Sequence, residues 1–114
     1  MNTKNLVHVG GRMKFCPSKI ILLEGDINYT RLYFSDGTMI LTSTNIGKLE
    51  ARFSAFNFFR TNRSYIINLD FITNFEIETG SIKMENNETI QLSRRRTKQF
   101  IDISNQQSNK NISL

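Results

Sequence analysis

Phe58-Phe59-Arg60-Thr61-Asn62-Arg63-Ser64-Tyr65-Ile66-Ile67-Asn68 is the stretch on which the reading of this chain turns. Apolar strand-formers stand at both ends, Phe58 and Phe59 before, Tyr65, Ile66 and Ile67 after. Between them lie two arginines, Arg60 and Arg63, with the short polar groups Thr61, Asn62 and Ser64. The pattern predicts a rigid polar loop held between two buried strand anchors. Guanidinium forks, an amide and small hydroxyls are the groups that grip phosphates and read base edges. A solvated turn between two strands would use the same residue types, so this segment alone leaves both readings open.

Working outward, the flanks read as short strands and turns. Leu6-Val7-His8-Val9 and Met13-Lys14-Phe15-Cys16 flank Gly10-Gly11, a hairpin pattern that Pro17 and Ser18 then break. Ile20 to Glu24 is almost wholly apolar, as expected of a buried strand. Gly25-Asp26-Ile27-Asn28 is loop chemistry, and Tyr29–Phe34 and Thr38–Ser43 pair back across the turn Ser35-Asp36-Gly37. Thr44 or Asn45 caps a short helix ending near Ser54. Its Ile46, Leu49 and Phe53 recur at helical spacing, while Lys48, Glu50 and Arg52 face water. Further strands fall at Tyr65–Ile67, within Phe71–Ile77, and at Ser81–Met84 and Thr89–Leu92 around the turn Glu85-Asn86-Asn87-Glu88. A last short helix from about Arg95 to Ile103 is expected to bury Phe100, Ile101 and Ile103. The sum is one domain over 1–104, mostly β, of short strands with one or two short helices. The Asn-, Gln- and Ser-rich residues 105–114 are predicted to form a disordered tail.

Composition narrows the chemistry. A chain of 114 residues, 39 % hydrophobic, suits one domain with a modest core. Nine Phe against no Trp make that core phenylalanine-based. A net charge of +5 and a pI of about 9.7 favour an anionic partner. The single cysteine, Cys16, forbids an internal disulfide, and with His8 as the only histidine a structural zinc site is not expected. Cys16 reads as a small apolar filler and His8 as structural or exposed. No apolar run approaches a membrane span and no signal-peptide core is present, which makes a reduced cytoplasm the default. Glu76 and Glu78 alternate, but paired carboxylates alone are weak evidence for catalysis. His8 is far in sequence from any suggestive Ser or Cys, so neither an enzyme nor a cofactor is expected.

A second basic cluster stands at Arg94-Arg95-Arg96-Lys98, four cations in five positions without an acid. Cations at a helix start oppose the helix dipole, so local folding does not ask for them. A phosphate there would satisfy both the arginines and the free backbone N–H groups.

Phe59-Arg60-Thr61-Asn62-Arg63-Ser64-Tyr65-Ile66-Ile67-Asn68, followed by Leu69-Asp70-Phe71-Ile72, resembles the signature of the LytTR family of bacterial DNA-binding domains. Upstream, Ile21 to Thr30 resembles the family's strand and loop ending in Asn-Tyr-Thr. Downstream, Leu92-Ser93-Arg94-Arg95 resembles its closing Val-Ser-Arg-Arg. The resemblance covers roughly residues 6 to 103. Asn62 departs from it, since His is commonest there.

The resemblance implies small antiparallel sheets and contact with double-stranded DNA through loops in the major groove, in a transcription regulator. Base contacts are then expected from Asn28, Thr30, Asn62, Arg63 and Arg94, and phosphate contacts from Arg60, Ser64, Ser93, Arg95, Arg96 and Lys98. Tyr29 is expected to pack inward and Asn68 to secure its turn. Family targets imply paired direct repeats, with a homodimer forming on the DNA. Most relatives carry a receiver domain, for which this chain has no room. A stand-alone regulator or an excised domain is expected, controlled by expression level, dimerisation or a partner regulator. Two rivals remain. The first is an RNA binder, against which the aromatics look buried. The second is a LytTR-like protein-interaction module without base readout, at which Asn62 hints.

Overall fold

Two runs of adjacent apolar residues set the architecture: Ile20-Ile21-Leu22-Leu23 and Ile66-Ile67. Successive strand side chains point to opposite faces, so these strands must be covered on both sides. A computed structural model, described over residues 5–106, meets that demand with a central sheet between two apolar layers.

Ten short strands and two helices are found among the described residues. The strands are β1 (Val7–Gly10), β2 (Met13–Phe15), β3 (Ile20–Asp26), β4 (Tyr29–Phe34), β5 (Met39–Thr42), β6 (Phe58–Asn62), β7 (Tyr65–Asn68), β8 (Ile72–Glu76), β9 (Ser81–Met84) and β10 (Thr89–Gln91). The helices are α1 (Ile46–Arg52) and α2 (Thr97–Gln106). The central antiparallel sheet runs β5-β4-β3-β7-β6; β10-β9-β8 form a second sheet and β1-β2 a hairpin.

Register assigns each side chain to a layer. Leu22 lies opposite Ile67, and Leu23 opposite Ile66. Leu22 and Ile67 enter a cluster with Phe59 of β6 and with Phe75, Ile82 and Phe100, supplied by the second sheet and α2. Leu23 and Ile66 enter the other, with Leu32 of β4 and with Val9, Leu49 and Phe53, supplied by the hairpin, α1 and its C-cap. A slip of one residue would exchange the two sets. Asn45 caps α1, its side chain accepting from the Lys48 amide at 2.9 Å. Asn68 secures its turn as expected: its Oδ1 accepts from the Asp70 amide at 2.9 Å, and its Nδ2 donates to the Ile20 carbonyl at 2.9 Å.

The small antiparallel sheets, the hairpin and both helices follow the sequence reading; four details differ. β6 continues through Asn62 because Phe59 and Thr61 alternate into the interior, so the polar loop shrinks to a turn at Arg63–Ser64. Tyr29 is exposed, since it pairs with Asp26 at a hairpin tip beyond either core. Cys16 is half-exposed and hydrogen-bonded to the Ser18 hydroxyl at 3.0 Å, a local turn contact and not a filler. α2 runs on through Asn105 and Gln106, which the sequence placed in the tail, because Ser104 is buried and Ile103 packs on the core. Residues 107–114 of that expected tail lie outside the described residues.

Phe100 ties α2 to both sheets, its ring 5.5 Å from Phe59 and 4.9 Å from Phe75 between centroids. Phe100→Ala is expected to lower unfolding free energy by about 3–5 kcal/mol, measured by urea denaturation.

Candidate nucleic-acid interface

Three turns distant in sequence meet along one end of the central sheet. The Gly25 amide donates to the Ser64 carbonyl at 2.7 Å, which sets the β3–β4 tip beside the β6–β7 turn. A Cβ on Gly25 would lie 2.9 Å from Ile46, so a side chain there would collide with the start of α1. On the other side, the Ser93 amide donates to the Thr61 carbonyl at 2.9 Å. Asn62 Nδ2 donates to the Gln91 carbonyl at 2.7 Å, and Arg96 Nη1 to the Arg60 carbonyl at 3.2 Å. The tight helical turn Arg94–Arg96 is thereby joined to β6.

The two arginines of the signature have opposite employment. Arg60 is only 17 % exposed at its side chain, and its guanidinium works as a buckle. Its Nε donates to the Asn62 carbonyl at 3.2 Å, its Nη2 to the Arg63 carbonyl, and its Nη1 to the Glu50 carboxylate of α1 at 2.9 Å. Arg63 is exposed, and among the described residues its side chain has no hydrogen bond or ion pair. A turn clamped from behind therefore presents one unengaged guanidinium.

Four expected contact residues are turned inward or already engaged. Arg60 is largely spent inside the fold, because the turn and Glu50 take three of its five N–H donors. Asn62 is engaged within the turn, its Oδ1 accepting from the Ser64 amide at 2.8 Å while its Nδ2 holds Gln91. Thr30 is fully buried and its hydroxyl donates to the Thr44 carbonyl at 2.8 Å. Ser93 Oγ is shielded from solvent and unpartnered, so it presents nothing to a phosphate.

The remaining candidates face water. Asn28, Arg63, Arg94, Arg95 and Lys98 are exposed and Ser64 is half-exposed. Arg96 is half-buried, with donors to spare beyond the one on Arg60. Lys98 meets Asp102 at 3.5 Å, an exposed pair of little energetic weight. Among the described residues no three His, Cys, Asp or Glu side chains gather to hold a metal, and no helix is long and apolar enough to cross a membrane.

The family model of the LytTr DNA-binding domain matches residues 10–104. The chain belongs to the LytTR family. Its fold is similar to a solved LytTr DNA-binding domain from a Bacillus cereus protein described as a methyl-accepting/DNA response regulator. That match has a TM-score of 0.70 and 18 % identity, over 87 % of this chain and 94 % of that one. No curated protein matches the chain. Membership places the protein among the DNA-binding domains of transcription regulators.

Within this LytTR domain the β6–β7 turn has a second support. The Glu24 carboxylate on β3 accepts from the Tyr65 hydroxyl at 3.0 Å and from the Tyr33 hydroxyl at 2.8 Å. Burial first, then the hydrogen bond to Glu24 and that carboxylate's charge, push the Tyr65 phenol up to about 12. Sequence reasoning missed Glu24, Glu50 and Gln91 in these roles, because each acts through a contact that crosses elements. It also assigned nothing to Ile27, although a β-branched residue between Asp26 and Asn28 is a visible irregularity in a turn.

Two outcomes are expected. Arg60→Ala should cost about 1–3 kcal/mol and raise amide exchange at Ser64 and Tyr65, whereas Arg63→Ala should stay within about 0.5 kcal/mol of wild type. Urea titration with hydrogen-exchange mass spectrometry measures both. A folded-state phenol pKa above the ordinary value of about 10 contributes stability that is complete below pH 10 and lost as pH rises through the folded value. Denaturation midpoints should therefore fall between pH 10 and about 12 in wild type, and less steeply in Tyr65→Phe.

Proposed function

We propose that this LytTR domain is a sequence-specific transcription regulator that lays its three turns into the major groove of double-stranded DNA. The observation that carries the reading is the pairing of a buckled Arg60 with an exposed, unengaged Arg63 on the same turn. Base readout needs a side chain that is free and a backbone that is not, because a loose turn loses ordering entropy on binding. Arg63 is a donor fork for guanine O6 and N7, Arg94 is the second base reader, and Asn28 contacts a base edge from the hairpin tip. Arg95, Lys98, Ser64 and the spare donors of Arg96 hold phosphates. Such contacts fix position without carrying sequence. Two copies sit on paired direct repeats, about 10 bp centre to centre when one helical turn apart, and form a homodimer on the DNA. Duplex selection, not catalysis, is the activity.

Selection of bound duplexes from a random pool, followed by titration against scrambled duplex at fixed salt, tests the reading. A repeated motif preferred by about a thousandfold or more is expected. Arg63→Ala should cost about 1–3 kcal/mol on that duplex and relax preference at one position. Arg95→Ala should weaken all duplexes alike and reduce the salt slope by about one. Equal losses on cognate and scrambled DNA for both variants would overturn the division of roles.

A further inference from the structure

The tip of the β3–β4 hairpin is built against local preference. Asp26 pairs with Tyr29, so Ile27 and Asn28 make the whole connection. Ile27 has φ +38°, in a region that Gly, Asn and Asp enter readily and a β-branched residue resists. Two-residue hairpin turns ordinarily put those permissive residues there. Ile27 is 91 % exposed, against 40 to 51 % for the other exposed large hydrophobics among the described residues. Single exposed apolar residues are ordinary, but one held at positive φ carries a backbone cost that burial does not offset. Burial does not explain isoleucine at this position, and backbone geometry opposes it.

Location supplies an explanation. The Gly25–Ser64 hydrogen bond joins this tip to the turn that carries Arg63, and Asn28 beside Ile27 is exposed. Ile27 therefore stands on the face assigned to DNA, among polar groups that contact polar base edges. The apolar group that the major groove presents is the C5 methyl of thymine. Resting on the duplex-binding reading above, we propose that Ile27 is a specificity-determining residue that packs against a thymine methyl next to the bases read by Arg63 and Asn28.

Deoxyuridine in place of thymine removes the methyl and leaves pairing intact. The full chain is titrated with its selected duplex and with versions carrying deoxyuridine at each thymine position in turn. One position is expected to weaken wild-type binding by about fourfold, the factor for one buried methyl-sized group. Ile27→Gly should bind the parent duplex more weakly by a similar factor and show no further loss with deoxyuridine at that position. Ile27→Asn, which tolerates the backbone angle, should lose the same dependence. It also keeps the test valid if the glycine variant is less stable. Wild-type binding indifferent to every deoxyuridine would overturn the assignment. So would a methyl dependence that persists in both variants. If wild type enriches no duplex at all, the duplex-reading proposal itself fails and takes this one with it, an outcome distinct from a specific site that ignores thymine methyls.

Discussion

Adjacent isoleucines on β7 bury into different cores. Ile66 joins Leu23, Leu49 and Phe53, while Ile67 joins Leu22, Phe59 and Phe100. Each such side chain contributes about 1.5–3 kcal/mol when fully buried. A shift of β7 by one position would misplace both at once, along with their partners on β3. That penalty pins the pairing of β7 with β3 and β6. The pairing in turn places Arg63 and Ser64 at the turn, with Arg60 behind them on β6. A hydrophobic constraint therefore determines which polar residue reaches the outside.

The polar layer then divides labour between residues of the same kind. Hydrogen bonds to charged groups inside a structure are worth about 1.5–3 kcal/mol, whereas exposed ion pairs are worth little. Arg60 lies between the two, its side chain 17 % exposed and bonded to two carbonyls, while its partner Glu50 is about half-exposed. Lys98 lies in the second. Asn62, where the family commonly has His, keeps a structural role by linking the Ser64 amide to the Gln91 carbonyl. A neutral amide does this without titrating, so this link is insensitive to pH near neutrality.

The fold was largely legible because its signals are local. Alternation, adjacent apolar pairs, the Asn45 cap and the Gly-Gly, Asp-Gly and Asn-Asn turns each act over a few residues. The candidate site was legible as a set of segments but not as a set of roles. Nothing local separates Arg60 from Arg63, because the difference lies in Glu50, on a helix ten residues upstream. Nothing local to Thr30 shows that its hydroxyl is bonded to the Thr44 carbonyl, fourteen residues on. Tyr29 looked apolar enough for the core, but register carried it past the core's edge. Type and spacing identify which residues gather; tertiary partners decide which remain free.

The candidate interface draws on residues around 25–28, 60–64 and 91–96, and hydrogen bonds between these segments hold it together. Such a surface has no counterpart in any single peptide cut from the chain, unlike a reading helix that can be excised and still carry its side chains. It exists only while both cores are intact. A DNA duplex that binds this surface has affinity for the native state and none of that kind for the unfolded one, so mass action ties DNA occupancy to global stability. For a domain of this DNA-binding family, resistance to unfolding then becomes a function of how much bound DNA is present.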